Sequence, residues 1–295
     1  MSAPAVPVPE PAPASPAAAG HRAASGSILT CLRWELMKLR AQARVRSTLS
    51  VCLVAPFIFV VLLDQQDRVP KDTIYGRFVH ATGYAVPLML LGFAAQWVFP
   101  LLTSIVAGDM FASEDQHGTW KSILTRSQGR VHIFWGKVLA ATLFTLAVIT
   151  TLAISTLVGG VLLVGSKPLE SLSGTPIAPG HAFWLVLAAW ACAIPPLLGF
   201  TSVAILFSVL SRNTAVGIVG PIVVGLLMQL YSFLNGVDII RHGLLATAFD
   251  SWHGLLAGHA YYAPLVRGSI TSVVYIVVCL SAAFAVFRRR DITGG

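Results

Sequence analysis

The sequence predicts an all-α, polytopic membrane protein with six transmembrane helices, and three observations lead there. Six apolar runs are each of roughly the length needed to cross a bilayer. Only 11% of residues are charged against 56% hydrophobic, whereas a soluble domain carries about 25% charged residues. None of the twelve acidic residues lies in the middle of a run, where a central Asp costs about 2.5–3.5 kcal/mol on insertion scales. With a mean hydropathy of +0.77, most side chains must face something other than water, and lipid meets that need.

The runs extend from about Ser47 to Leu63, Ala81 to Ala107, Ile133 to Val164, His181 to Leu210, Thr214 to Asn235 and Gly268 to Phe287. Residues 1–27 are rich in Pro, Ala and Ser and lack the basic region and long apolar core of a signal peptide, so a disordered tail is expected there. Residues 28–46 form a separate amphipathic segment. The six-span domain then occupies 47–290, with a polar connection at 108–135 and an outer segment at 236–267, and residues 291–295 form a short tail.

A net charge of +8 invites a nucleic-acid reading. It fails because the basic residues sit in short segments between apolar runs rather than on a polar domain. With the N-terminus in the cytoplasm and six crossings, fourteen Lys and Arg fall on the inner side and six on the outer side. That imbalance predicts that both termini are cytoplasmic, and the expected location is the bacterial inner membrane. An odd number of spans would expose Arg288, Arg289 and Arg290 outside.

Before the first run, Ile28, Leu29, Leu32, Leu36, Leu39 and Ala43 recur at helical spacing, and Arg33, Arg40 and Arg44 fall on another stripe. Two readings of this basic amphipathic helix stand, and they are compatible. It lies on the membrane with its arginines on anionic headgroups, or it packs on a partner protein. Prolines interrupt several runs, most densely at Pro195 and Pro196, where a hinge or pathway bend is one reading and an ordinary membrane-helix proline the other. Gln96 and Gln229 are lone polar residues within runs. They line a path or hydrogen-bond a neighbouring helix.

The chemistry of an enzyme is absent from the sequence. There is no GxxxxGK[ST] loop, HExxH, GxSxG elbow or paired-carboxylate site. His253 and His259 are six apart, on different helix faces, and the four cysteines form no CxxC pair. No catalytic residue, bound cofactor or metal is expected, and no nucleic-acid partner.

The longest and most polar inner connection reads GDMFASEDQHGTWKSILTRSQGRVHIFWGK over 108–137. Ser113 with Gln116 fits a capping box, and Ser127-Gln128-Gly129-Arg130 fits a turn before the third long helix. A short helix exposed between two spans is a docking surface on one reading and a solvated loop on the other. Its Glu114, Gly118-Thr119, Ile123-Leu124, Arg126, Arg130 and Gly136-Lys137 form a pattern that resembles the permeases of type-2 ABC exporters. The preceding amphipathic helix and the six-span plan extend that resemblance over about residues 28–290.

The resemblance implies a type-2 permease fold and a chain that pairs with a second permease subunit, identical or different. It implies two separate ABC ATPase subunits that hold the ATP and Mg. The loop carrying Glu114, Gly118, Thr119, Ile123, Leu124, Arg126 and Arg130 would act as the coupling element in a cleft of the ATPase. The helix with Arg33, Arg40 and Arg44 would be an interfacial elbow. The segment between spans 5 and 6, with its Phe249–His253 and Tyr261–Pro264 stretches, would dip back as short helices that close the exit. The expected activity is export of a hydrophobic or amphipathic substrate. A non-transporting scaffold or sensor subunit and a membrane-embedded enzyme are the alternatives.

Overall fold

The computed structural model describes residues 27–65, 74–120, 129–233, 238–257 and 260–289. The expected N-terminal tail, residues 66–73 with Arg68 and Lys71, the loop residues Ile123, Leu124 and Arg126, His259, Arg290 and the C-terminal tail lie outside them.

Six helices are long and apolar enough to cross a membrane, so the chain is a multi-pass helical membrane protein. They are span 1 (Ala43–Leu63), span 2 (Ala85–Ala107), span 3 (Arg130–Leu163), span 4 (Pro179–Ser211), span 5 (Thr214–Ser232) and span 6 (Ala263–Arg289). An elbow helix, Ile28–Ala41, precedes span 1, and a connector helix, Ala112–Gln116, follows span 2. The described residues are helical apart from short links and a two-residue antiparallel pair, Leu169–Glu170 with Pro176–Ile177, between spans 3 and 4.

Span 4 is the centre of the bundle. Its most apolar stretch is 67% buried, against 22% for spans 5 and 6, so the outer spans present their apolar faces to the surroundings. It consists of two helices, Pro179–Cys192 and Ile194–Ser211, broken at Ala193. Pro195 and Pro196 sit in the first turn of the second helix, where the missing N–H has no intrahelical partner to lose. This second half touches spans 2, 3, 5 and 6. Between spans 3 and 4, the Thr145 and Thr201 hydroxyls hydrogen-bond at 3.0 Å. The Ser155 hydroxyl of span 3 donates to the Leu53 carbonyl of span 1. Such polar pairs join helices where lipid supplies no hydrophobic drive.

Close backbone approach is made by glycine. A methyl group on Gly108 would meet the Gly217 carbonyl oxygen at 2.2 Å, and one on Gly217 would meet the Gly108 oxygen at 2.2 Å. The end of span 2 and the start of span 5 therefore pack backbone to backbone. Two residues, Arg212 and Asn213, join spans 4 and 5. Arg212 has a left-handed backbone with φ of 52°, and the Asn213 side chain caps span 5 by accepting from the Ala215 N–H at 2.9 Å.

The elbow is shorter than the segment 28–46 read from its pattern. The backbone turns extended at Gln42 (φ −73°, ψ 125°), and a new helix, span 1, starts at Ala43. Arg44 thus belongs to span 1. The elbow's stripe faces the protein as well as the surroundings: Cys31 and Leu39 are buried and Leu32 and Leu36 pack on the core, while Leu29 is 71% exposed.

Candidate functional site: a buried ion cluster under the connector

The elbow lies against span 3 at Gly136, where a methyl group would fall 2.6 Å from Cys31 Cβ. A glycine there lets the two helices touch. The next residue, Lys137, then lies beneath the elbow, with 1% of its side chain exposed. Its ammonium is 3.1 Å from the Glu35 carboxylate, 3.1 Å from the Glu114 carboxylate and 3.1 Å from the Met110 carbonyl. Three contacts match the three donors of an ammonium. The aromatic rings of Phe111 and Trp120 stand with centroids 5.8 Å from the same nitrogen.

Glu114 is the second hub. Its Oε1 takes both Lys137 and Lys38, the latter at 2.5 Å, and Lys38 also lies 3.6 Å from Glu35. Its Oε2 accepts from the Thr119 hydroxyl. Two carboxylates and two ammoniums leave the cluster neutral, which is the condition for burying it. Burial pushes the Glu114 carboxyl up, but Lys137, Lys38 and the Thr119 hydroxyl outweigh it and hold the group at about 2. Burial likewise works against the Lys38 ammonium, and Glu35 and Glu114 reverse this and raise it.

Gly118 and Thr119 explain themselves in this geometry. Gly118 has φ of 63°, a conformation glycine adopts at no steric cost. It turns the chain back at the end of the connector helix, where the Thr119 N–H reaches the Glu114 carbonyl at 3.1 Å. The Thr119 hydroxyl is thereby aimed at the Glu114 side chain.

The connector is held from its other sides as well. The Ser208 hydroxyl of span 4 accepts from the Phe111 and Ala112 N–H groups at 2.9 and 3.0 Å. The Gln116 side chain accepts from the Thr214 N–H at the start of span 5. Phe111 packs on Phe134 of span 3 and Phe287 of span 6, and Trp120 packs on Phe287, with ring centroids 5.3–5.5 Å apart. Arg44 of span 1 pairs with Asp109, whose side chain is 3% exposed. The five-residue helix is therefore tied to the elbow and to spans 3, 4 and 5, and the residues flanking it, Asp109, Phe111 and Trp120, add ties to spans 1 and 6. Beside it opens a polar cleft of about 720 Å³ edged by Lys38, Arg44, His117 and Asn213.

The structure gathers some of the residues read from the sequence and separates others. Glu114, Gly118 and Thr119 come together, but Glu114 is buried rather than presented outward. The outward face is Gln116, His117 and Gly118. Arg130 is elsewhere, donating to the Arg288 carbonyl at 2.9 Å and joining the ends of spans 3 and 6. Arg33 and Arg40 are exposed, whereas Arg44 turns inward to Asp109. The capping box does not form. The N–H groups of Phe111 and Ala112 are engaged by Ser208, Ser113 donates to the Asp109 carbonyl, and Gln116 reaches span 5. Gln96 lines a cavity away from this site, while Gln229 is buried in span 5 and does not line that cavity. Glu35, Lys38 and Asp109 are site residues that the sequence does not reveal. Ion pairing across 65 and 76 residues leaves no local spacing to read.

Among the described residues no group of three His, Cys, Asp or Glu side chains is placed to hold a metal. Fold and site together define a polytopic helical membrane protein whose inter-span connector is locked to the bundle by buried charges. The chain belongs to the DUF2705 family, described as a protein of unknown function, which it matches over residues 57–293. The match includes Asp109, Glu114 and Lys137 and begins after Glu35, Lys38 and Arg44. No curated protein matches the chain.

Proposed function

We propose that this chain is the transmembrane permease subunit of an ATP-binding-cassette exporter. It pairs with a second permease subunit in the bacterial inner membrane, with both termini and the connector in the cytoplasm. ATP is hydrolysed by separate ATPase subunits, and the substrate is hydrophobic or amphipathic. The observation that carries this reading is the tethering of the connector helix Ala112–Gln116. A push on a free loop is lost in the loop. A push on this helix reaches the elbow and spans 3, 4 and 5 through Lys38, Lys137, Ser208 and Gln116, and spans 1 and 6 through the flanking Asp109, Phe111 and Trp120. ATP binding closes the motor subunits and supplies the differential affinity that alternating access requires.

The test uses the outward face of the connector. His117→Cys adds a thiol at an exposed position, while three of the four native cysteines are buried. In native membranes this thiol is expected to cross-link to a P-loop ATPase and to stay unlabelled by an impermeant maleimide added to intact cells. Labelling from outside the cell would end the exporter reading, because no cytosolic motor reaches that side. Glu114→Lys would be a poor probe, since it sets a third ammonium beside Lys38 and Lys137; Glu114→Gln keeps the shape and removes the charge.

A further inference from the structure

Midway along its length, span 2 departs from regular helix. Residues Ala94–Val98 form a π turn, a feature that recurs at functional sites. Gln96 lies in that turn and lines a cavity of about 150 Å³ together with Tyr75, Phe93, Asp250, Trp252 and His253. The walls come from distant parts of the chain: the segment before span 2, span 2 itself, and the 3-10 helix Phe249–Leu256 that precedes span 6.

Two buried polar atoms here lack a hydrogen-bond partner among the described residues, the Tyr75 hydroxyl and the Trp252 indole N–H, although both residues are 1% exposed. Buried polar groups are nearly always paired, and an orphan calls for a missing partner. Among the described residues, Asp250 is the one acid that lines the cavity, and no Lys or Arg lines it. Asp250 is exposed at the mouth of the cavity, which leaves a way in. Tyr75 and Trp252 face each other with ring centroids 6.2 Å apart, and the His253 ring centroid lies 4.0 Å from that of Trp252.

We propose that this cavity binds a small organic ammonium cation, its charge against Asp250, its alkyl shell against the rings of Tyr75, Phe93 and Trp252, and an acceptor atom of the ligand on the Tyr75 and Trp252 donors. Aromatic faces with one carboxylate are the surroundings that alkylammonium groups select. An anion would meet the Asp250 charge, and a hard metal cation would want several oxygen ligands where the cavity offers few. The cation is a soluble amine or the headgroup of a lipid. The site is independent of the exporter reading, which stands or falls at the connector.

The Asp250 carboxyl governs occupancy. Burial raises it to about 6, with Arg241 opposing. His253, lowered by burial, and Tyr75, whose phenol burial raises, face the same space. Acid therefore neutralises Asp250 and adds positive charge at His253, and both changes work against a bound cation.

The experiment is equilibrium dialysis of the purified full chain in maltoside detergent with radiolabelled tetramethylammonium. One saturable site per chain is expected at pH 8, with affinity falling at least tenfold at pH 5. Asp250→Asn is expected to lose at least tenfold at pH 8. Ile74→Trp, placed at a 48% exposed lining position, is expected to block binding while eluting as the wild type on size exclusion. Competition by short-chain phosphatidylcholine identifies a lipid headgroup as the source, and retained binding without competition identifies a soluble amine. Absence of saturable binding by the wild type at pH 8, or binding unchanged in both variants, overturns the proposal.

Discussion

The Lys137 ammonium lies 3.1 Å from the Glu114 carboxylate, and both side chains are buried. Lys137 has almost no access to water, and Glu114 meets it only at the edge of the polar cleft. Lys137→Met leaves Glu35 and Glu114 sharing Lys38 alone, and removing one partner of a buried pair costs about 3–5 kcal/mol. At roughly 2–4 °C per kcal/mol, unfolding in detergent is expected about 10 °C lower. The double variant Lys137→Met/Glu114→Gln restores charge balance with the Glu35–Lys38 pair and is expected to recover part of that loss. A double variant as unstable as the sum of the singles would show that the two residues act independently.

Two acidic groups give opposite responses to acid. Glu114 is held at about 2, below its ordinary 4.5. Its contribution is full above about 4.5 and disappears as pH falls toward 2. Asp250 is raised to about 6 from 3.8, so its effect favours the fold below 3.8 and is lost as pH rises through 6. Melting curves between pH 3 and 8 are expected to show the gap between wild type and Glu114→Gln closing on the acid side. Wild type should gain on Asp250→Asn as pH drops below about 6. Parallel curves would contradict both assignments.

Ser208 holds the entrance of the connector helix through one hydroxyl oxygen that accepts from two backbone N–H groups. Ser208→Ala orphans both in a buried setting. The expected loss is about 1–3 kcal/mol. Hydrogen exchange at Phe111 and Ala112 should accelerate while amides in span 3 keep their protection. Unchanged exchange would show that the hydroxyl does not hold the helix.

Gly108 and Gly217 tolerate no side chain. Either one replaced by Ala drives a methyl group to 2.2 Å from a carbonyl oxygen on the facing helix. Gly180→Ala, where nothing lies within 4 Å, serves as the control. Monodisperse yield in detergent is expected to fall severalfold for Gly108→Ala and Gly217→Ala and to hold for Gly180→Ala.

The spans are legible in the sequence because bilayer thickness forces long apolar runs, and no water-facing element sustains a run of that length. Their ends are less so. Span 1 starts at Ala43 rather than near Ser47 because the Arg44–Asp109 pair lets a charged first turn stay helical and packed. Glu114, Gly118 and Thr119 can be picked out together because their link is local, a carboxylate and the turn that brings a hydroxyl back to it. Their partners Glu35, Lys38 and Lys137 arrive from other helices, and hydropathy records nothing of which charge meets which. The π turn at Ala94–Val98 is equally silent, since its composition differs little from the helix on either side.

The two-residue turn at Arg212 and Asn213 limits how this molecule can change shape. Its left-handed residue and its capping amide leave no slack, and Gln116 is wedged against the far side. Spans 4 and 5 are thus shackled at this end, and any separation of the two has to begin at their opposite ends.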